Sequence, residues 1–212
     1  MKAIIICNGT APGKALLNRY MQGDAFIICC DGGAEIAMRY GIHIDVLVGD
    51  FDSLGKARAE EIARMTGCEF IALPVMKDQT DSEYAIDIAA QKHARDIVIL
   101  AGTGSRLDHT LGNVQLLIKC RKMGMDCVLV DENNEARVTC TTLALPGKIG
   151  DLLSLIPLSV NARIRCTGGL LYPLFDTNLE MGTTLGVSNV YVNDVAVVEV
   201  EHGWVLVVKS TD

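Results

Sequence analysis

Along the first 130 residues, short continuous apolar runs alternate with stretches of helical periodicity. The runs, rich in Ile and Val, cover 3–7, 25–30, 46–48, 97–101 and 127–131, with a weaker one at 69–73. Between them, 14–22, 33–40, 55–66, 81–93 and 109–123 carry helical spacing. In the last of these, Leu111, Val114, Leu117 and Ile118 form an apolar stripe, while Arg121 and Lys122 mark a polar face. Continuous apolar strands joined by helices predict βαβ units and a mostly parallel sheet covered on both faces.

Beyond about residue 140 the texture changes. Pro146-Gly147 breaks the chain, and 151–157, 162–166, 185–192, 195–200 and 204–208 follow with Gly, Pro and Asn between them. None of these segments has helical periodicity. Val195–Val200 and Trp204–Val208 flank Glu201-His202-Gly203 and read as a hairpin, with Trp204 in the core. The pattern predicts two domains: an α/β domain over 1–142 and a smaller all-β domain over 143–212.

Composition narrows the class. Half of the 212 residues are apolar and 21% are charged, ample for a folded core and unlike a disordered chain. The longest purely apolar runs, such as Ala25–Cys30, have six residues, against about 20 for a membrane span, so no membrane association is expected. The apolar stretch after Lys2 stops at Asn8, too short for a secretory core. Nineteen basic against 26 acidic residues give a net charge of −7, which lacks the electrostatic footprint of a nucleic-acid binder. Eight cysteines without a C-x-x-C pair do not have zinc-site spacing, and a reducing cytoplasm is the expected location.

The acidic residues are not scattered. In open α/β sheets ligands bind at the carboxyl ends of the strands, and four such places are marked here. Cys30-Asp31-Gly32-Gly33 follows the second strand, and Gly49-Asp50-Phe51-Asp52-Ser53 the third. Lys77-Asp78-Gln79-Thr80-Asp81 precedes the fourth helix, and Gly102-Thr103-Gly104-Ser105-Arg106-Leu107-Asp108-His109 follows the fifth strand. Each has an ordinary alternative. Thr80 and Glu83 match a capping box, and Asp108 or Ser53 could cap a helix. Capping does not account for carboxylates at all four places on one sheet edge. In extended backbone Asp50 and Asp52 point the same way and repel unless a cation lies between them. Hard oxygen ligands beside phosphate suit Mg²⁺. Gly32-Gly33 and Gly102/Gly104 open helices where backbone N–H groups can meet an anion, although no Walker motif is present. Arg106 offers a planar fork to phosphate, while Lys14 reads as a solvated helix residue.

In combination these motifs resemble the thiamine pyrophosphokinase family. The resemblance rests on Asp31-Gly32-Gly33, Gly49-Asp50-Phe51-Asp52-Ser53, Lys77 to Glu83, Arg106-Leu107-Asp108-His109 and Asn113. It continues through Thr167 to Leu174 and Ser188-Asn189. It implies an N-terminal α/β domain, a C-terminal β-sandwich, and a homodimer with sites at the subunit interface. It implies transfer of the diphosphate of ATP to the hydroxyl of thiamine, with Mg²⁺. Asp50, Asp52 and Asp81 then correspond to the metal and catalytic carboxylates, and Asp108 and Arg106 to further catalytic residues. Asp31, Gly32, Gly33, Asp78, Gln79 and Gly104 correspond to the ATP site, and Tyr172, Ser188 and Asn189 to the thiamine site. Ser105, Ile44 and Val190 depart from the pattern.

A cationic thiazolium suits an aromatic face, for which Tyr172 is the candidate; the alternative is a residue packed under the Pro173 loop. A general base, if one acts, is Asp81 or Asp108, whereas His109 reads as a helix-start residue. Three rival readings stay open: a pyrophosphokinase for a pterin-like alcohol, a metal-dependent phosphohydrolase, and a non-catalytic nucleotide-binding module.

Overall fold

The computed structural model describes residues 1–211 and divides into two compact units, Met1–Glu132 and Asn133–Asp212. The first unit runs β1 (Lys2–Ile6), α1 (Lys14–Tyr20), β2 (Ala25–Cys30), α2 (Gly33–Tyr40), β3 (Val46–Gly49) and α3 (Lys56–Thr66). It continues with β4 (Glu69–Ala72), α4 (Asp81–Gln91), β5 (Asp96–Leu100), α5 (Leu107–Lys122) and β6 (Asp126–Val130). The second holds β7 (Asn134–Thr139), β8 (Thr142–Pro146), β9 (Leu152–Pro157), β10 (Asn161–Gly168), β11 (Phe175–Glu180), β12 (Asn189–Val190), β13 (Val195–His202) and β14 (Val205–Ser210).

In the first unit all six strands pair in parallel, in the order β6-β5-β1-β2-β3-β4. Both faces are apolar, as the continuous runs predict. Ile4, Ile6, Cys29, Leu47 and Leu100 point to one face, where they meet Leu17 of α1, Ala37 of α2 and Ile62 of α3. The other face carries α4 against β1 and β2, and α5 against β6. Strand order reverses between β1 and β5, and the loops leaving those two strands open a crevice at the carboxyl edge. Sequence periodicity and structure agree on every helix of this unit to within two residues at each end.

The second unit is a sandwich of two antiparallel sheets, β12-β9-β14-β7 and β11-β10-β13-β8. Alternating residues from both close on one core: Leu153, Leu155, Val205 and Val207 from the first, Ile164, Leu179, Ala196 and Val198 from the second. The expected hairpin does not form. β13 pairs with β10 and β8, whereas β14 pairs with β7 and β9, so the two strands lie in opposite sheets. Gly203, at φ +85, turns the chain from one sheet to the other, with Asn161 and Ala162 packed where a side chain would stand. Both strands bury alternate valines in the same core, approaching it from opposite sides of the sandwich. Trp204 at this crossing is only half-buried rather than a core residue. β7 belongs to this unit through its ladder with β14, although 134–139 precedes the boundary drawn from sequence texture.

Candidate active site

The loops at the carboxyl edge of the first unit line a cavity of about 450 Å³, within the usual range for a small-molecule site. It lies at the point where the strand order reverses. Cys7-Asn8-Gly9 leaves β1 and Gly102-Thr103-Gly104 follows β5, and the two loops are laced together. Gly9 N–H donates to Ala101 O at 2.8 Å and Thr10 N–H to Thr103 O at 2.8 Å. The approach is close enough that a Cβ on Gly104 would stand 3.3 Å from the Gly9 Cα. Asn113 of α5, buried, donates to Gly102 O at 2.7 Å and fixes the loop from behind.

Three non-glycine residues around the cavity have left-handed backbone: Asp31 (φ 45), Phe51 (φ 59) and Ala101 (φ 52), at the exits of β2, β3 and β5. Phe51 itself is buried, stacked on Phe70 with ring centroids 4.9 Å apart. Such backbone persists where packing over-determines it, and it concentrates at functional sites. At Phe51 the consequence is direct. Asp50 and Asp52 do not share an extended strand, contrary to the i, i+2 expectation. Burying Phe51 forces a turn, Asp52 N–H donates to Asp50 Oδ1 at 3.3 Å, and the turn brings both carboxylates together.

Asp31 completes the group. One carboxylate oxygen from each of Asp31, Asp50 and Asp52 falls within 4.8 Å of the others. Asp31 is buried, and its Oδ1 accepts from Leu54 N–H at 3.1 Å, so its orientation is fixed. Gly49 packs closely beside it: a Cβ there would stand 3.3 Å from the Asp31 backbone. The tightest acidic grouping therefore holds Asp31, where sequence reasoning put Asp81.

Asp81, at the start of α4, meets the group through a cation. Lys77 Nζ lies 2.6 Å from Asp50 Oδ2 and 3.1 Å from Asp81 Oδ1. The second contact is an ion pair by distance but is off the hydrogen-bond direction, and Asp81 Oδ1 is buried without a hydrogen-bond partner. Burial raises the Asp81 carboxyl above the ordinary range; Lys77 opposes this, while Asp50 and Asp31 add to it. Asp50 moves the other way, lowered by its hydrogen bond from Lys77. Lys77 loses from burial but is held above its usual value by the two carboxylates. Its sequence signal was its place at the head of the Lys77 to Asp81 run.

The remaining candidates divide. Arg106 and Asp108 pair at 2.6 Å, both two-thirds exposed, and the guanidinium lowers the Asp108 carboxyl to about 2. Arg106 lines the cavity; Asp108 stands in the first turn of α5 rather than capping it, since the cap position is Arg106. Gln79 lines the cavity while its amide reaches Asp87 at 3.2 Å. Thr80 does cap α4, accepting from Glu83 N–H at 3.2 Å, but the Glu83 carboxylate goes to Lys119 at 3.0 Å instead of back to the cap. Asp78 is exposed and outside the lining. Gly32 and Gly33 are also outside it: side chains there would strike Asn8 and the Ile6 carbonyl, so these glycines seat α2 against the end of β1. Asn8, Gly9, Thr103 and Ser82 line the cavity and were not singled out from sequence as site residues.

In the second unit Tyr172 is 64% exposed, so it does not pack under the Pro173 loop. Buried Asn189 clamps its backbone: Tyr172 N–H donates to Asn189 Oδ1 at 3.0 Å, and Asn189 Nδ2 donates to Tyr172 O at 2.6 Å. Ser188 is exposed, at φ 60, with its N–H donating to Ser154 Oγ at 3.1 Å.

Comparison with known proteins converges on one family. The thiamin pyrophosphokinase catalytic-domain model matches residues 17–129, more than half of the chain. The chain belongs to the thiamin pyrophosphokinase family. The vitamin B1 binding domain model of thiamin pyrophosphokinase matches 137–205. The thiamine pyrophosphokinase of Bacillus subtilis (strain 168) is 29% identical over 203 residues, covering 92% of each chain. Thiamine pyrophosphokinase 1 of Oryza sativa subsp. japonica is 23% identical over 190 residues, covering 82% of this chain and 68% of its own. The crystal structure of the Bacillus subtilis enzyme superposes with a TM-score of 0.89 at 27% identity over the whole of both chains. That from Geobacillus thermodenitrificans gives 0.86 at 28%, covering 100% of this chain and 98% of its own. As a member of the thiamin pyrophosphokinase family, the chain is a diphosphotransferase, and the two-domain fold is the family's.

Proposed function

We propose that this chain transfers the diphosphate of ATP to the hydroxyl of thiamine, releasing AMP and thiamine diphosphate, with Mg²⁺ as cofactor. The observation that carries the reading is the meeting of Asp31, Asp50 and Asp52 in a cavity at the strand-order reversal of a chain of this family. The site fits the ion: its donors are hard carboxylate oxygens, one further oxygen on Asp81 is buried without a hydrogen-bond partner, and an ammonium already stands between Asp50 and Asp81. Asp31, Asp50 and Asp52 would hold Mg²⁺, which neutralises phosphate charge and so admits an incoming oxygen.

The protein's own groups do the rest. Backbone N–H groups of the Thr103-Gly104 loop receive phosphate oxygens. Lys77 and Arg106 present cations to the same oxygens. The thiamine hydroxyl attacks the β-phosphorus, the bond to the α-phosphate oxygen breaks, and AMP departs. Asp81 accepts the hydroxyl proton, a role its raised carboxyl suits. Holding the two substrates in line supplies up to roughly 7–11 kcal/mol of the barrier reduction. Tyr172 offers an aromatic face to the thiazolium, positioned by Asn189, with Ser188 beside it.

We assign the enzyme to a homodimer whose thiamine residues face the partner. The support is exposed Leu171, Tyr172 and Val192 on adjoining segments, tied by the hydrogen bonds Leu171 N–H to Val190 O and Val192 N–H to Gly169 O. Light scattering during size exclusion tests this assignment. Eight free cysteines fit a cytoplasmic location, and among the described residues no helix is long and apolar enough to cross a membrane.

The deciding experiment incubates the protein with Mg²⁺, ATP and thiamine and resolves the products by chromatography. AMP and thiamine diphosphate in equal amounts are expected. Release of inorganic phosphate, or of ADP with thiamine monophosphate, would overturn the reading, as would nucleotide binding without turnover.

A further inference from the structure

Two cysteines form part of the cavity floor, and the proposed reaction uses neither. β1 and β2 pair in parallel with Ile6 beside Cys29, so the next residues along, Cys7 and Cys30, stand side by side at the strand exits. Registered residues on neighbouring strands share a face, and for this pair it is the face covered by α4. Cys7 Sγ donates to Ser82 Oγ, 3.7 Å away in the first turn of α4, so its sulfur is aimed across this face. They are 5% and 3% exposed, and what exposure remains opens into the cavity they line. Adjacent strands sit about 4.8 Å apart, inside the roughly 4.4–6.8 Å Cα separation that a disulfide spans.

We propose that Cys7 and Cys30 are a modification site: a dithiol that peroxide-class oxidants entering the cavity convert to a reversible disulfide. In the first step a sulfur of the pair attacks hydrogen peroxide, the O–O bond breaks, and a sulfenic acid and water form. In the second, the neighbouring sulfur attacks the sulfenic sulfur, the S–O bond breaks, and a second water leaves with the thiol proton. Two thiols give up two electrons to one peroxide, and no other reactant is needed.

The bond has a mechanical consequence. Cβ atoms in register on parallel strands stay near the strand spacing, wider than the roughly 3.8 Å Cβ separation a disulfide prefers. Closing it draws together the exits of β1 and β2, where Asn8 and Asp31 follow directly, and removes the sulfur from Ser82. A bond strained in this way is also easily reduced. Cys29 points to the opposite face of the sheet, among Ile27, Leu47 and Cys68, and is no partner for Cys7.

The test is peptide mapping of the wild-type protein after peroxide treatment, with two single-cysteine variants mapped beside it. The expected product has lost two hydrogens and two free thiols, and its cross-linked peptides join residues 3–14 to 20–39. Because the second peptide carries both Cys29 and Cys30, Cys29→Ala is mapped beside it and retains the link, whereas Cys30→Ala lacks it. Mg²⁺ with ATP slows cross-linking, and dithiothreitol restores both thiols. Activity falls roughly 100-fold in step with the link, the scale on which an ångström of misplacement acts. Oxidation that stops at separate sulfinic acids, or a link through Cys29 or Cys68, would overturn the proposal. The mapping needs no turnover, so its result stands whether or not the proposed reaction takes place.

Discussion

Lys77 reaches from the loop ahead of α4 to the exit of β3 and bonds Asp50, Nζ to Oδ2, at 2.6 Å, with both side chains largely buried. The pair ties the loop to the acidic group, and the same ammonium stands 3.1 Å from Asp81. Replacing Lys77 by Ala leaves Asp50 among Asp31, Asp52 and Asp81 without that charge. Lys77→Ala is expected to unfold at lower temperature in chelator, by about 2–4 °C for each kcal/mol lost. Added Mg²⁺ should raise its melting temperature by more than it raises the wild type's, because the repelling carboxylates gain more from a cation. Equal Mg²⁺ increments in thermal melts would remove Lys77 from this role.

Asp81 and Asp50 titrate in opposite senses, so their contributions to stability can be separated by pH. The folded carboxyl of Asp81 is raised by burial, so the folded state holds its proton more tightly than the unfolded chain. That contribution stabilises below the ordinary aspartate value and is lost as pH rises through the raised one. Asp50, lowered by Lys77, stabilises above the ordinary value and loses this contribution as pH falls through its lowered one. Metal-free Asp81→Asn should therefore melt above the wild type at neutral pH, with the difference shrinking on acidification past Asp81's raised value. Its turnover should be lost. Calorimetry in chelator at a series of pH values checks the sign; a less stable Asp81→Asn at neutral pH would contradict a carboxyl raised by burial.

The parallel half of the fold was legible because each strand there is buried on both faces and reads as an unbroken apolar run, as in Ala25–Cys30. The antiparallel half was less so. Val195–His202 and Val205–Ser210 look like hairpin partners because a short Gly-containing break separates two runs of valine. Sequence adjacency cannot say that Gly203 carries the chain between sheets. Phe175–Glu180 was missed altogether, since among its residues only Leu179 is buried. The acidic motifs were readable individually, but their grouping was not. Asp31 joins Asp50 and Asp52 because a left-handed turn at buried Phe51 redirects the chain, and no periodicity encodes that turn.

That grouping separates carboxylates the sequence treated alike. Asp50 and Asp52 share the cavity with Asp31, whereas Asp78 is exposed outside it. Asp50→Asn and Asp52→Asn keep the side-chain volume and remove the charge, so kcat/KM should fall by at least about 100-fold, the scale of losing one preorganised electrostatic contact. Asp78→Asn should stay within about twofold, as for a surface change distant from the reacting groups. Steady-state kinetics at saturating Mg²⁺ decides the point, and an Asp78→Asn loss as deep as that of Asp52→Asn would bring Asp78 into the site.

Tyr172 and Asn189 divide one task between ring and backbone. The ring is exposed, so Tyr172→Ala should leave the melting temperature within a degree or so, in keeping with surface substitutions of about 0.5 kcal/mol or less. It should raise the KM for thiamine by roughly 2- to 30-fold, the worth of a cation–π contact, and leave the KM for ATP unchanged. Asn189 is buried and bonds the Tyr172 backbone from both ends of its amide. Asn189→Ala leaves the Tyr172 N–H and carbonyl unsatisfied, at about 1–3 kcal/mol for such a group. The Asn189 variant should therefore lower the melting temperature and raise the thiamine KM together, because the loop that aims the ring is no longer held. Tyr172→Phe, which keeps the aromatic face, should recover most of the thiamine affinity that Tyr172→Ala loses. If Phe behaves like Ala, the ring face is not what meets the substrate.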